Sequence, residues 1–560
     1  MGNNNSTSIA SRLPSDVLFE IFSHCPSVGY LYDGWQAEHR LPEPLVLTRV
    51  CSSWRQAART HPNLWRTIPL NKPAWTRLAL QLSDPLSIDV SVAYDVSSPP
   101  AFDVRSLEIL VHSFSRLRSL YLSGDPDGVP ELQNSEDGAV EILSRLGASE
   151  TPLLETVSLS YRDFDQSAEA RNTFSNFIGT RRPKVSSLSL SFCHFETLAN
   201  LRWQSITHFC LSNCDTSRPL EETLLVLVQM PALKFLKLHK VMWPDATPSN
   251  SPTIPKHSVI LPTLSRLQLG TSIRTIHSIL SYISFPVGTN IQLHMNAHTS
   301  AHLFAPTSDF SSILSMLSEH FSKATQDGQS FRSLEILDSP SMVMKIGAST
   351  LTYSSPAYED SRSTNTDYDL SPSCQMKLEV QRSPWILESG TYASEDHRPL
   401  VPFMLSALPI LHGVRSLYLH PYGERSESRQ DPTNIQPRSI NWDDLLAPLQ
   451  YVEEFRIASG ETFASFARAV RSRDEAGSSP LLPRLRTLHI TSDDILDAMR
   501  LQESVDEIGD TVRQLVVRCP LRLIRIDANE RDLGWVSMDG LQEVVDVIWG
   551  GVLLSRLPVS

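Results

Sequence analysis

The order apolar-x-x-apolar-x-apolar recurs ten times along this chain. Leu117-Arg118-Ser119-Leu120-Tyr121-Leu122 is the first copy; the others cover 154–159, 185–190, 206–211, 233–238, 264–269, 414–419, 452–457, 485–490 and 521–526. Residues 334–337 are a partial copy. Each copy carries the period of two that marks a half-buried strand. Its apolar positions are expected to face a core and the positions between them the opposite face. Apolar residues at helical spacing fill many gaps between copies and predict helices over 139–146, 168–178, 220–229, 275–283, 311–321 and 494–518. Residues 68–70 and 86–90 predict first strands, and 539–556 a terminal capping helix. In the middle, 291–295, 342–351 and 375–380 alternate and predict strands in a local antiparallel excursion. Segments near 123–138, 243–258, 353–373 and 421–440 are rich in Pro, Ser, Thr and charge, and predict loops.

The first 70 residues follow a different period. Pro14 suits a first helical turn, and Ser15 and Asp16 suit its unpaired N–H groups. Val17, Leu18, Ile21 and Phe22 then share one helix face. Beyond Pro42 and Pro44, the residues Leu47, Val50, Cys51, Trp54 and Ala58 fall at i, i+3, i+4, i+7 and i+11, with Arg49, Arg55 and Arg59 off that stripe. Pro62 ends the helix, and Leu64 and Trp65 follow. Three helices of this size cannot bury all their apolar surface internally. The remainder is expected either to cap a larger core or to face a partner.

The series Leu13-Pro14-Ser15-Asp16-Val17-Leu18-Phe19-Glu20-Ile21-Phe22, then Val50-Cys51-Ser52-Ser53-Trp54, then His61-Pro62-Asn63-Leu64-Trp65, resembles an F-box. Asp16 stands where that family usually has Glu. The spacer 24–43, with Tyr30, Tyr32 and Trp35, is longer than usual and resembles that of mushroom-type fungal F-box proteins. The recurring motif resembles the leucine-rich repeat, with Cys193 and Cys214 in the turn position of two copies.

The resemblance implies an α/β chain: a disordered tail over 1–9, a three-helix F-box domain over 10–70, and an irregular leucine-rich-repeat solenoid over 75–560. It implies a substrate-recruiting subunit of an SCF-type ubiquitin ligase, in the cytoplasm, the nucleus or both. The F-box would dock on a Skp-type adaptor, and through it the cullin scaffold, by Leu13, Pro14, Val17, Leu18, Ile21, Phe22, Leu47, Val50, Cys51, Trp54, Leu64 and Trp65. The alternative is a protein-interaction scaffold outside any ligase. The repeat positions expected on the inner sheet face supply the candidate target contacts: Tyr121, Phe235, Lys237, His239, Arg266, Tyr418, His420, Arg456 and His489. Aromatic and Arg side chains dominate binding hot spots, which favours this set.

Composition narrows the field further. A net charge of −13 argues against a nucleic-acid binder, which needs a basic stripe. Seven cysteines without regular pairing distances fit a reducing compartment. No apolar run is long enough for a membrane span. Met1-Gly2-Asn3-Asn4-Asn5-Ser6 matches a myristoylation pattern, beside the simpler reading of a polar tail. No nucleophile elbow, phosphate-binding loop, zinc-protease motif or dinucleotide fingerprint occurs, so neither catalysis nor a cofactor is expected. Cys193, His194, His208, Cys210 and Cys214 have zinc-ligand chemistry. Their repeat positions explain them more simply, so no metal is expected.

Overall fold

A computed structural model describes residues 13–24, 43–94, 103–124, 136–160, 184–192, 203–216, 219–243, 257–297, 308–326, 333–338, 341–347, 374–382, 413–421, 441–457, 460–491, 517–527, 546–549 and 552–554, with 173, 177, 255, 408, 514 and 515. The chain is mixed α/β and divides into two compact units. One is Met1–Leu264 with Tyr282–Phe285; the other is Ser265–Ser281 with Pro286–Ser560.

The first unit opens with helices α1 (Ser15–His24), α2 (Glu43–Leu47) and α3 (Ser52–Thr60). Their core is small: Leu18, Phe22, Ala57 and Ala58, with Leu13, Phe19, Leu47, Trp54 and Leu64 packed against it. Trp54 meets Phe22 edge-on at 5.4 Å, and His61 meets Phe19 at 5.0 Å. Trp65 is buried and donates its indole N–H to the Ala58 carbonyl at 2.8 Å. That bond ties the 3₁₀ turn Pro62–Trp65 to the end of α3.

Seven parallel strands follow in sequence order: β1 (Thr67–Ile68), β2 (Ile88–Tyr94), β3 (Leu117–Gly124), β4 (Thr156–Ser160), β5 (Ser187–Ser191), β6 (His208–Ser212) and β7 (Phe235–His239). Each pairs with the next, so a strand's own apolar positions line up with its neighbour's. Leu120, Val157, Leu188, Phe209 and Leu236 form one such row, and Leu122, Leu159, Leu190, Leu211 and Leu238 another. All ten are at most 2% exposed. Burying one such side chain is worth about 1.5–3 kcal/mol, so the rows dominate the stacking energy.

Helices α4 (Pro73–Leu82), α5 (Val104–Val111), α6 (Glu136–Gly147) and α7 (Leu220–Val228) bury apolar faces in this unit. Asp103 caps α5 by accepting from the Arg105 N–H at 2.8 Å. Arg116 closes the turn after α4, donating to the carbonyls of Leu86 and Leu80 and to the Ser83 hydroxyl. Two short strands, β8 (Val259–Ile260) and β10 (Ile283–Ser284), pair in parallel.

Three residues just past β5, β6 and β7 adopt left-handed backbone: Phe192 (φ 56°), Asn213 (φ 50°) and Lys240 (φ 49°). None is glycine, and only Asn takes this conformation readily. Backbone bonds from Phe192 N–H to the Ser212 carbonyl and from Asn213 N–H to the His239 carbonyl stack these turns on one another. The stack holds a conformation that each turn alone would avoid.

In the second unit, β9 (Arg266–Ser272) pairs in parallel with β11 (Asn290–Ala297), which pairs in parallel with β14 (Cys374–Arg382). β13 (Ser341–Gly347) is antiparallel to both β14 and β12 (Ser333–Asp338). From β12 the order is parallel again through β15 (Ser416–Pro421), β16 (Glu454–Ile457), β17 (Thr487–Thr491), β18 (Leu523–Asp527) and β19 (Asp546–Trp549). Helices α8 (Ile273–Tyr282), α9 (Ser308–Gln326), α10 (Trp442–Leu446) and α11 (Gly460–Glu475) complete the elements named here. Phe455, Phe466 and Trp442 cluster edge-to-face, 5.0 Å apart for the closest pair. Glu453 sits between Arg415 and Arg486, 3.5 Å from each, at the starts of three neighbouring strands.

All ten motif copies, and the partial copy, fall on strands. Four expectations need correction. The single helix expected from Pro44 to Pro62 is two, α2 and α3: residues 48–50 turn and Cys51 is extended (φ −159°, ψ −179°), with the Thr48 hydroxyl bonded back to the Leu45 carbonyl, so the stripe Leu47, Val50, Cys51, Trp54 and Ala58 is not one helix face. The 539–556 capping helix is instead the antiparallel pair β19 and β20 (Val552–Leu554), with Trp549 opposite Val552. Gly550-Gly551 between apolar β-branched runs is a hairpin signal, and glycine disfavours a helix. Among the described residues of the middle excursion, β13 alone is antiparallel to both its neighbours; β11 stays parallel on both sides. The segment near 123–138 yields residues to β3 at one end and to α6 at the other. The 1–9 tail, the 353–373 segment, and most of the 168–178 and 494–518 helices lie outside the described residues.

Candidate functional site

Two surfaces gather the candidate residues. The first is on α1 to α3. Successive helical residues differ by about 100° in direction, so one apolar run can serve both a core and a surface. Leu18 and Phe22 are 1% exposed and Trp65 is 3%. Leu18 and Phe22 sit inside the module's own core, and Trp65 is buried at the end of α3, bonded to the Ala58 carbonyl. Leu13, Leu47, Cys51, Trp54 and Leu64 are half-buried, and Pro14 is exposed. Val17 (40%), Ile21 (38%) and Val50 (50%) open to water, and so does Val46 (49%), which the sequence reading left out. Val17 and Ile21 form an i, i+4 pair on α1; Val46 lies on α2 and Val50 in the turn that follows it.

Local bonds fix this surface. The Thr48 hydroxyl donates to the Leu45 carbonyl at 2.8 Å, and the Arg55 guanidinium to the Thr48 carbonyl at 3.0 Å. Together they hold the bend between α2 and α3. Cys51 caps α3, with Sγ 3.1 Å from the Ser53 hydroxyl. That bond, then the Trp54 N–H, hold the thiol below its ordinary pKa.

The second surface is the face of the first unit's sheet opposite the apolar rows. Register places three rows across β4 to β7. Thr156, Ser187, His208 and Phe235 form the first; Ser158, Ser189, Cys210 and Lys237 the second; Ser160, Ser191, Ser212 and His239 the third. None of the twelve is buried. Tyr121 continues the second row on β3 and is half-buried. The His208 and Phe235 rings lie 6.1 Å apart, and Thr207 Oγ1 is 2.9 Å from His208 Nδ1. Partial burial, then the charge of Lys234, hold His208 below its ordinary pKa.

The corresponding face of the second unit differs. Tyr418, Arg456 and His489 stand side by side on β15, β16 and β17. They are 4%, 9% and 6% exposed, so water does not reach them as the open face required. The Arg456 guanidinium lies over the Tyr418 ring, 5.9 Å from its centre. Ser416 is also buried and donates to Glu454 at 3.1 Å. Arg266 is half-buried, next to the buried Gln268, which reaches Gln292 at 2.7 Å. The His420 side chain lies outside the described residues.

The zinc-type residues separate. His208 and Cys210 belong to the sheet face. Cys214 is fully buried in the turn, with Sγ 3.4 Å from the carbonyls of Leu190 and Ser212. Cys193 and His194 lie outside the described residues. Among the described residues no group of three potential ligands could hold a metal ion, and no helix is long and apolar enough to cross a membrane.

No model of a known protein family matches this chain, and no curated protein is significantly similar to it.

Proposed function

We propose that this protein recruits substrates to an SCF-type ubiquitin ligase. In this reading α1 to α3 are an F-box that docks on a Skp-type adaptor. The strands beyond are irregular leucine-rich repeats that hold a target protein. The observation that carries the reading is the partition of one apolar run. Leu18 and Phe22 complete a core with Ala57 and Ala58, and Val17 and Ile21 on α1, Val46 on α2 and Val50 in the turn after it remain open to water. Isolated exposed apolar residues are ordinary; four on one short module suit an intermolecular seam. Such a receptor performs no bond chemistry. It raises the effective concentration of a target lysine near a charged E2.

Direct pull-down with a purified Skp-type adaptor tests this. Ile21→Asp and Val50→Asp each place an unpaired carboxylate in the seam, which costs several kcal/mol. Adaptor affinity is expected to fall at least about a hundredfold, with the melting temperature unchanged because both positions are exposed. Leu188→Asp, inside β5, is expected to damage the first unit's stack and to leave adaptor capture largely intact. No adaptor binding by the wild type sinks the reading. Ubiquitin transfer to a bound partner in the reconstituted ligase separates a receptor from a non-ligase scaffold.

A further inference from the structure

The twelve open positions of β4 to β7 contain no Asp or Glu, although the chain carries 62 acidic residues against 49 Lys and Arg. Eight of the twelve are hydroxyl-bearing or Cys residues on β4, β5 and β6; the rest are His208, Phe235, Lys237 and His239, gathered at the β6–β7 edge. Lys234 and Lys240 flank β7 and are exposed. Among the described residues, the carboxylates flanking these strands are Glu155, ahead of β4, and Asp215, in the turn beyond β6. A cationic, aromatic corner beside a carboxylate-free hydroxyl surface is thus set into an acidic protein. The charged residues at the described positions of this corner are opposite in sign to the chain's net charge, a pattern by which local complementarity selects a partner.

We propose that this corner binds an acidic, extended segment of the target, with a carboxylate of that segment at Lys237 and an apolar side chain against the His208–Phe235 ring pair. The inference rests on the target-receptor reading and narrows it to one chemistry. An extended segment presents alternate side chains to the sheet, which matches the spacing of Phe235, Lys237 and His239 along β7. Charge-assisted bonds to Lys237 supply selectivity, and the aromatic pair supplies apolar contact area. Neighbouring Ser189, Ser191 and Ser212 can donate to carboxylate or backbone oxygen without adding repulsion.

Fluorescence anisotropy on the full chain tests it, with a fluorescein-labelled octapeptide of alternating Glu and Leu. Saturable binding is expected, weakening at least about fivefold between 50 and 300 mM salt. Replacing Glu by Gln in the peptide is expected to weaken binding about tenfold or more, as is Lys237→Glu in the protein. Arg105→Glu, an equal charge change on the exposed surface of α5, is expected to leave affinity unchanged. Lys237→Gln, with the melting temperature as control, covers the case where the charge reversal disturbs folding. The proposal is overturned if the wild type does not bind, if the Gln peptide binds equally well, or if Arg105→Glu weakens binding as much as Lys237→Glu. A peptide with phosphoserine for Glu that binds while the Glu peptide does not would also overturn it, in favour of phosphate recognition. Adaptor pull-down is run in parallel. Peptide failure with adaptor binding retained defeats only this inference; loss of adaptor binding by the wild type defeats the receptor reading itself.

Discussion

The inner positions of β4 to β7 and those of β15 to β17 come from the same six-residue motif and stand in the same parallel register. Water reaches the first set and is kept from most of the second. In the first unit the row through Ser158, Ser189, Cys210 and Lys237 is half-buried. In the second, the row through Tyr418, Arg456 and His489 is at most 9% exposed. Alternation sets the direction in which a side chain leaves a strand. It does not set what the side chain meets. Large, charged side chains on the second face therefore contribute to a packed interior, and the small ones on the first stay available for contact.

The largest effects should be alike in both units, because the apolar rows beneath the two faces are equivalent. Phe455→Ala is expected to cost about 3–5 kcal/mol and Leu236→Ala about 2–5 kcal/mol. Urea unfolding of the full chain measures both. A cost under about 1 kcal/mol at either position would mean that its strand does not belong to a tightly packed core.

The inner faces should then part company. Arg456→Ala removes a buried guanidinium stacked on Tyr418 and leaves its neighbours without their contacts, so a loss of about 2–4 kcal/mol is expected. Lys237→Ala, half-buried, should cost no more than about 0.5 kcal/mol. Equal losses would erase the distinction between a covered and an open face.

A smaller effect depends on pH. Burial, with a contribution from the Lys323 charge and opposed by a backbone bond at Val287, holds His320 on α9 below its ordinary pKa. The unfolded chain takes up this proton near pH 6.5, and the folded chain only at lower pH. Below about 6.5 the unfolded state binds more protons, so stability is present above that value and is lost as pH falls through the window beneath it. His208 titrates in the same sense, but it is exposed and contributes less. Melting temperatures between pH 7.5 and 5 should fall less steeply for His320→Gln than for the wild type, and barely differ for His208→Gln. A wild-type slope unchanged by His320→Gln would contradict the assignment.

The smallest effect is expected at Ser189→Ala, within about 0.5 kcal/mol, since a half-exposed hydroxyl on the open face exchanges protein for water contacts. A loss of 2 kcal/mol would show that this face, too, is packed against something.

Much of this architecture was legible in the chain, because its signals are local. A period of two over six residues placed eleven strands, including the partial copy at 334–337, and the four-residue steps from Val17 to Ile21 and from Trp54 to Ala58 placed helical segments, whereas the step from Leu47 to Cys51 crosses the break between α2 and α3. Helix caps and proline stops follow from backbone groups within a few residues. The antiparallel pairing of β19 and β20 was legible too, through Gly550-Gly551 in the sequence, and was overridden by apolar length. Burial was a different matter. Leu18 and Val17 are adjacent in the chain, yet one is 1% and the other 40% exposed, because the helix turns about 100° between them and only one side meets Ala57 and Ala58. Tyr418 and Tyr121 occupy like positions in their repeats, yet Tyr418 is buried, with the Arg456 guanidinium of the next strand over its ring, and Tyr121 is half-buried. Direction is set by sterics within a residue or two and can be read from the sequence; contact with water depends on what distant chain packs against the surface, and only the tertiary structure decides it.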